Sequence, residues 1–157
     1  MTETSADPIH EVLKRWHLQV RGKLPGGLGS MLHDDVIFYS PVVFTPQVGK
    51  EVTMLYLAAA GGVFGGDGKT ETETPSVTAE GEEIGGSFQY TKEVASGHTA
   101  VLEFETKMGG KYVNGVDIIT CDEDGMIVEF RVMIRPLQAV NAVHQNMMSM
   151  LERMQPN

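Results

Sequence analysis

Asp117 is the residue of this sequence best suited to acid–base chemistry. It stands in the run "VNGVDIITC", residues 113 to 121, whose other members carry no charge. A carboxyl group in such surroundings loses hydration, so its pKa rises and it can stay protonated as a hydrogen-bond donor. Acids of this kind in apolar clefts are candidate functional groups. Two interpretations stay open: a chemical group in a pocket, or a structural aspartate bonded to the backbone, to Trp16 or to a buried water.

The turn "DEDG", residues 122 to 125, predicts which way Asp117 points. If these four residues form a hairpin loop, Cys121 pairs with Met126 and Asp117 lies opposite Phe130. One face of the second strand is then apolar throughout: Val128, Phe130, Val132 and Ile134. The opposite face is mixed and carries both arginines of that strand. Asp117 is therefore expected to face inward, without an arginine partner.

The five histidines and the single cysteine give weaker signals. Metal binding needs converging ligands, and the acidic residues near His10 and His17 are not spaced to converge, so both are expected at the surface. His33 is expected at a helix end and His98 in a turn. His144 is expected to be packed or interfacial on the last helix. Cys121 is interpreted as a small apolar core residue because no activating histidine can be read from the sequence. No metal and no cofactor is expected.

The composition excludes several classes of partner. Among 157 residues, 12 are Lys or Arg and 21 are Asp or Glu, for a net charge of −9. So few cations leave little for a basic face, and nucleic acid is not an expected partner. The sequence contains no run of 18 apolar residues, so no membrane span is predicted. The N-terminal segment lacks the basic and apolar regions of a signal peptide, and one cysteine suits a reducing compartment, so a cytoplasmic location is expected.

Three segments have helical spacing. Residues 7 to 21 begin with Asp7 as N-cap and Pro8 at the first helical position. Residues 50 to 63 are apolar nearly all round, which predicts a well-buried helix. Residues 137 to 153 form the last helix. The apolar faces expected on the first and last helices are these: Ile9, Val12, Leu13, Trp16 and Val20; then Leu137, Val140, Val143, Met147, Met150 and Leu151.

Strands account for most of the remainder. Residues 35 to 41, 86 to 94 and 99 to 106 read as strands, and the hairpin around Asp117 completes an antiparallel meander. Residues 65 to 86 are polar, acidic and Gly-rich, and we interpret them as a mobile insertion or loose hairpin. Helices followed by consecutive antiparallel strands predict an α+β fold in which a sheet wraps around helices. The length suits one domain spanning residues 1 to 157.

Two stretches carry a family resemblance. "FYSPVVFTPQVGKEV" and "VNGVDIITCDEDGMIVEFRVMIRPLQAV", with the meander between them, resemble SnoaL-like proteins of the nuclear transport factor two-like superfamily. The resemblance spans residues 7 to 151 apart from the acidic segment, and is strongest to bacterial members of unassigned function. It implies a cone: a curved, mostly antiparallel sheet wrapped around N-terminal helices, with a C-terminal helix and a pocket. Members with enzymatic activity include ketosteroid isomerase, limonene epoxide hydrolase, scytalone dehydratase and polyketide cyclases.

The resemblance also assigns positions to the known catalytic sets. Asp117 matches the inward acid of the isomerase, which donates to an enolate oxygen, and one carboxylate of the hydrolase. The isomerase's base and its tyrosine donor fall at or near Ser40 and Trp16. The hydrolase's arginine and second aspartate correspond to Gly115 and Val132. Both sets are incomplete in this chain, and one acid survives.

These observations predict an apolar, steroid- or polyketide-sized pocket that binds a small hydrophobic molecule around Asp117. Its expected lining is Trp16, Phe38, Ser40, Tyr56, Phe104, Ile119, Phe130 and Val132. As an enzyme, the protein would be an isomerase, lyase or cyclase with Asp117 as acid. The alternative is a non-catalytic ligand-binding or dimerisation module.

Both functions predict a homodimer. One candidate interface is the methionine-rich last helix, whose apolar surface exceeds what one core-facing stripe would use. The other is the outer face of the final hairpin, with its apolar members Val116, Ile118, Ile127 and Met133.

Overall fold

A computed structural model describes residues 7–64, 88–108 and 110–154. The predicted acidic segment 65–86 lies outside these residues. Within them the chain order is α1 (Pro8–Val20), a short 3-10 turn (Leu28–Ser30), β1 (Leu32–Tyr39), β2 (Gln47–Val48), α2 (Lys50–Phe64), β3 (Gln89–Ser96), β4 (Thr99–Met108), β5 (Lys111–Cys121), β6 (Ile127–Arg135) and α3 (Leu137–Met154). No helix in this part of the chain is long and apolar enough to cross a membrane.

The six strands form one curved sheet in the order β2-β1-β6-β5-β4-β3. Every neighbouring pair is antiparallel except β1 and β6, which run parallel. The sheet is open, with β2 and β3 at its edges, and does not close into a barrel. This arrangement, with its C-terminal helix, confirms the predicted α+β class.

One cluster of the core lies between α1 and the concave face of the sheet, and a second lies between α2, α3 and the sheet. Alternating residues of β4 and β5 point inward because successive side chains of a strand face opposite sides. Four residues of α1 at helical spacing cover this face and are buried: Ile9, Val12, Leu13 and Trp16. Val20, predicted on the same face, is 47% exposed. The first helix therefore begins deep in the core and ends at the surface.

The other two helices differ from their predicted burial. In the part of α2 whose side chains are described, residues 50–59, Thr53 and Ala59 are buried and most others are half-buried. An apolar composition indicates burial only where another element covers each face, and one face of α2 borders a cavity. Along α3 the buried side chains are Ala139, Val143 and Met147, whereas Leu137 is 73% exposed. Leu137 lies in the first turn of α3, ahead of the part that packs on the sheet.

The register of the final hairpin differs from the predicted one by two positions. Asp117 pairs with Val132 instead of Phe130, and Phe130 pairs with Ile119. A displacement of two residues leaves each side chain on the same face, because the period of a strand is two. Asp117 consequently points inward as predicted, but its cross-strand neighbour is a smaller residue.

Two local features produce this displacement. Asp122 N donates to Met126 O at 2.9 Å, so the loop has three residues and ends at Gly125, whose φ of 81° suits glycine. An irregularity next to Cys121, which pairs with Ile127, inserts one further residue into β6. Ile127 is therefore fully buried in the core. The prediction that placed it on the outer face was wrong.

Gly115 occupies a position without room for a side chain. A Cβ there would lie 2.5 Å from Met133 O and 2.6 Å from Cζ of Phe104. The first of these is a backbone atom within the sheet and cannot move cheaply. This position cannot hold the arginine that the hydrolase resemblance would require.

We expect Gly115→Ala to lower the free energy of unfolding by about 1–3 kcal/mol, through overpacking against the neighbouring strand. Urea denaturation followed by circular dichroism measures this. Gly29→Ala is the matched control, because its Cβ would meet only the flexible end of Met54 at 3.4 Å. Equal stability of the two variants would contradict the packing argument.

Candidate functional site

A cavity of about 640 Å³ lies between α1, α2 and the concave face of the sheet. Its wall is mainly apolar, with aromatic side chains from a helix and four strands. The described residues lining it are Trp16, Gln19, Val20, Arg21, Leu28, Phe38, Pro41, Met54, Leu57, Ala58, Phe88, Tyr90, Phe104, Asp117, Phe130, Val132 and Met147. Asp117 is the single carboxylic acid among them.

Six of the nine predicted site residues line this cavity: Trp16, Phe38, Phe104, Asp117, Phe130 and Val132. The other three are absent from the described lining. Ser40 Oγ accepts hydrogen bonds from the backbone N–H groups of Val42 and Val43, at 3.0 and 3.2 Å, and is used in a turn. Tyr56 stacks on Phe38 with ring centroids 5.3 Å apart. Ile119 is fully buried in the core.

Three polar side chains in the wall form a continuous hydrogen-bond chain. Trp16 donates from Nε1 to the hydroxyl oxygen of Tyr90 at 2.9 Å. Tyr90 donates from that hydroxyl to Oδ2 of Asp117 at 2.5 Å. The other carboxyl oxygen, Oδ1, has no hydrogen-bond partner among the described residues. We call Trp16, Tyr90 and Asp117 the polar triad.

Each member of the polar triad is positioned by its own element. Asp117 lies on the inner face of β5, and Trp16 lies in the last turns of α1 with its ring 5.0 Å from that of Phe130. Tyr90 pairs with Phe104 across β3 and β4, immediately before an irregularity in that pairing. The edge strand β3 is otherwise largely exposed, so Tyr90 is its main inward contribution to the site.

Burial dominates the electrostatics of the polar triad. Desolvation raises the pKa of Asp117 from 3.8 to about 7, and the hydrogen bond from Tyr90 opposes part of this rise. Desolvation and the nearby carboxylate raise the pKa of Tyr90 well above its usual range. Tyr90 therefore keeps its proton at neutral pH, whereas Asp117 exchanges between acid and carboxylate there. Such a group can donate a proton or a hydrogen bond to a ligand in the cavity.

Sequence reasoning did not single out Tyr90. The signal was present, because Phe88 and Tyr90 alternate on one face of a predicted strand, and a tyrosine on an inward face needs a partner for its hydroxyl. The sequence alone could not name that partner. Asp117 lies 27 positions away, on a strand that does not pair with β3.

The histidines and the cysteine do not join the polar triad. His17 Nε2 lies 2.7 Å from Oε1 of Glu93, at the partly exposed side of β3 that faces α1, with its ring edge-on to Tyr90. His144, expected to be packed or interfacial, is exposed. Cys121 is buried, and desolvation raises its thiol pKa, as suits an unreactive core residue. In the described residues no group of three or more His, Cys, Asp or Glu could hold a metal ion.

Solved structures share this fold over nearly the whole chain. An NTF2-like protein of unknown function from Mesorhizobium loti is 16% identical and has a TM-score of 0.60, covering 87% of this chain and 98% of its own. A steroid delta-isomerase from Pseudomonas aeruginosa is 30% identical, with a TM-score of 0.76, covering 96% of this chain and 97% of its own. The chain belongs to the nuclear transport factor two-like superfamily.

Another similar structure carries no named activity. An uncharacterized bacterial protein with a cystatin-like fold, from Silicibacter pomeroyi DSS-3, is 25% identical with a TM-score of 0.71, covering 90% of this chain and 86% of its own. No protein-family model matches the sequence, and no curated protein matches it significantly. Membership of the superfamily therefore establishes the fold, and the reaction has to be inferred from the site.

Proposed function

We propose that this nuclear transport factor two-like protein binds an apolar small molecule in the cavity, with one oxygen of that molecule at the polar triad. The hydrogen-bond chain from Trp16 through Tyr90 to Asp117, set in an apolar wall, is the observation that carries this proposal. Ligand sites of this kind are mostly apolar, with few converging polar groups, and 640 Å³ lies within their usual size range.

As an enzyme, the protein would be an isomerase, lyase or cyclase with Asp117 as acid. A protonated Asp117 can donate to an enolate or to a departing hydroxyl group through Oδ1, which has no partner among the described residues, while Tyr90 holds Oδ2. The structural relative from Pseudomonas aeruginosa is a steroid delta-isomerase, which makes a steroid ketone the first substrate to test.

The alternative is a non-catalytic binder, and one observation favours it. Proton transfer between two carbons of a substrate is served best by a base in addition to an acid, and the described lining holds no carboxylate besides Asp117. Ser40, which the isomerase resemblance places at or near the base, is bonded to backbone amides. Binding of a steroid ketone without turnover would support this function.

The experiment combines detection of a natural ligand with a direct binding assay. Native mass spectrometry of the freshly purified protein would reveal a co-purified molecule. Trp16 is the single tryptophan of the chain and lines the cavity, so its fluorescence reports on occupancy without a label. The substrate is a steroid whose ring ketone is β,γ-unsaturated, so that its double bond is not conjugated with the carbonyl. Turnover is followed by the ultraviolet absorbance of the conjugated α,β-unsaturated product.

We expect Tyr90→Phe to weaken binding of a steroid ketone roughly five- to tenfold, the loss of about one net hydrogen bond. The variant removes the hydroxyl that organises both Trp16 and Asp117, and its ring keeps the packing. Fluorescence titration measures the change, with Tyr112→Phe as control because Tyr112 is 72% exposed and absent from the lining. Unchanged affinity and unchanged turnover in Tyr90→Phe would remove the polar triad from the proposed function.

We also propose a homodimer and a cytoplasmic location. The outer face of the sheet carries exposed apolar side chains on three strands, Val94, Val101 and Met133, which a second copy would cover. Sedimentation at micromolar concentration tests the dimer, and a monomer would contradict it. The free thiol of Cys121 is compatible with a reducing compartment.

A further inference from the structure

The polar side chains of the cavity wall lie in two separate environments. Asp117 and Trp16 are buried, whereas Arg21 is exposed and Gln19 is half-buried at the end of α1. Val20 and Ala58, also exposed, complete the described rim. The lining thus combines buried side chains that offer neutral or acidic donors with an exposed arginine.

Arg21 differs from the three other arginines whose side chains the structure describes, because each of those has a hydrogen-bond or ion-pair partner among the described residues. Arg15 donates to the backbone oxygens of Gly125 and Ser30, Arg131 pairs with Glu129, and Arg135 donates to Asn114. Arg21 has no carboxylate within ion-pairing distance among the residues that the structure describes. In a chain with a net charge of −9, an exposed arginine beside a cavity, without an ion-pair partner among the described residues, is a local exception.

Helix electrostatics accounts for part of this placement. Arg21 is the C-cap residue of α1, where a cation interacts favourably with the backbone carbonyls. That effect explains the sign of the charge and applies equally to a side chain directed away from the cavity. It does not explain why Arg21 lines the cavity.

We propose that the ligand is an amphipathic acid: a rigid apolar body with a carboxylate at the Arg21 end and a neutral oxygen at the polar triad. This inference rests on the proposed function, because it assigns a class of ligand to the same cavity. A guanidinium binds a carboxylate through two parallel hydrogen bonds, which gives orientation as well as affinity. The apolar body would occupy the aromatic wall between the two polar ends.

The test compares one molecule in two charge states. A bile acid bearing a ring ketone and its methyl ester are each titrated against the protein, with Trp16 fluorescence as the readout. We expect the acid to bind roughly two- to fivefold more tightly than the ester, as suits a partly exposed ion pair, and the preference to shrink as salt is added. Arg21→Gln should abolish the preference.

Lys23→Gln is the matched control. It removes the same charge at a position two residues after Arg21, and Lys23 is absent from the described lining. It should keep the preference for the acid. Two results would overturn the amphipathic ligand and leave the proposed function standing. One is equal binding of acid and ester by the unmodified protein, and the other is a preference for the acid that survives in Arg21→Gln. Failure of both compounds to bind would count against the proposed function, and this inference would fall with it.

Discussion

Asp117→Asn should flatten much of the dependence of stability on pH between about pH 4 and pH 7. In the native protein the pKa of Asp117 is raised from 3.8 to about 7 by burial, so the native state holds the proton more tightly than the unfolded chain does. The stabilisation from this proton is fully present below the unfolded pKa and is lost as the pH rises through the native pKa. At about 1.4 kcal/mol per pKa unit, the whole loss is about 4 kcal/mol.

Asparagine does not titrate and keeps an oxygen that can accept the hydrogen bond from Tyr90. The unmodified protein should therefore lose about 2–3 kcal/mol of unfolding free energy between about pH 5 and pH 8 that the variant does not lose. Urea denaturation at the two pH values measures both proteins. Asp35→Asn, which removes an exposed carboxylate, is the control for the change in net charge. If the unmodified protein and Asp117→Asn changed in parallel, the carboxyl would not be titrating in a desolvated site.

Phe130→Ala should lower the free energy of unfolding by about 3 kcal/mol, near the lower end for removal of a buried phenylalanine. Phe130 is 1% exposed, and its ring lies 5.0 Å from Trp16 and 6.3 Å from Phe38. The lower end is expected because one side of the ring already faces the cavity, so fewer contacts are lost. Removing the ring also frees the indole of Trp16, and its fluorescence should shift as the tryptophan gains freedom.

The same substitution at Phe44 is the control that separates the loss of buried packing from the mere replacement of a phenylalanine by alanine. Phe44 is 97% exposed, and Phe44→Ala should change the unfolding free energy by no more than about 0.5 kcal/mol. Thermal or urea unfolding of the two variants gives the comparison. A loss at Phe130 as small as that at Phe44 would contradict the placement of Phe130 between the first helix and the sheet.

Much of the candidate site could be predicted from local patterns. The alternation in the strand around Asp117 predicted that it faces inward, and the helical spacing of the first segment placed Trp16 on the face that packs against the sheet. The predicted role of Ser40 came from the family resemblance, which places the isomerase's base at or near it, and that of Tyr56 from its polar chemical type. In the structure Ser40 accepts hydrogen bonds within a turn, and the ring of Tyr56 stacks on Phe38. Local hydrogen bonds and packing thus occupy both side chains.

The register of the hairpin was beyond such patterns. The letters "DEDG" suit a three-residue loop and a four-residue loop almost equally well. The choice changes which residues pair across the hairpin, but the alternation within each strand, which is all that the pattern shows, is the same for both. The irregularity beside Cys121 adds a further residue. Only the packing of Ile127 into the core decides between these arrangements, and that packing involves elements distant in the chain.

The sequence by itself determined the α+β class, the inward faces of β4 and β5 and the single acid that these faces carry. It did so because periodicity of side chains is a local property, set by two residues per repeat in a strand and 3.6 in a helix. The tertiary structure alone decided that Trp16, Tyr90 and Asp117 meet in one wall. Tyr90 is 74 positions from Trp16 and 27 from Asp117, and their contact depends on how a curved sheet folds its edge strand over a helix.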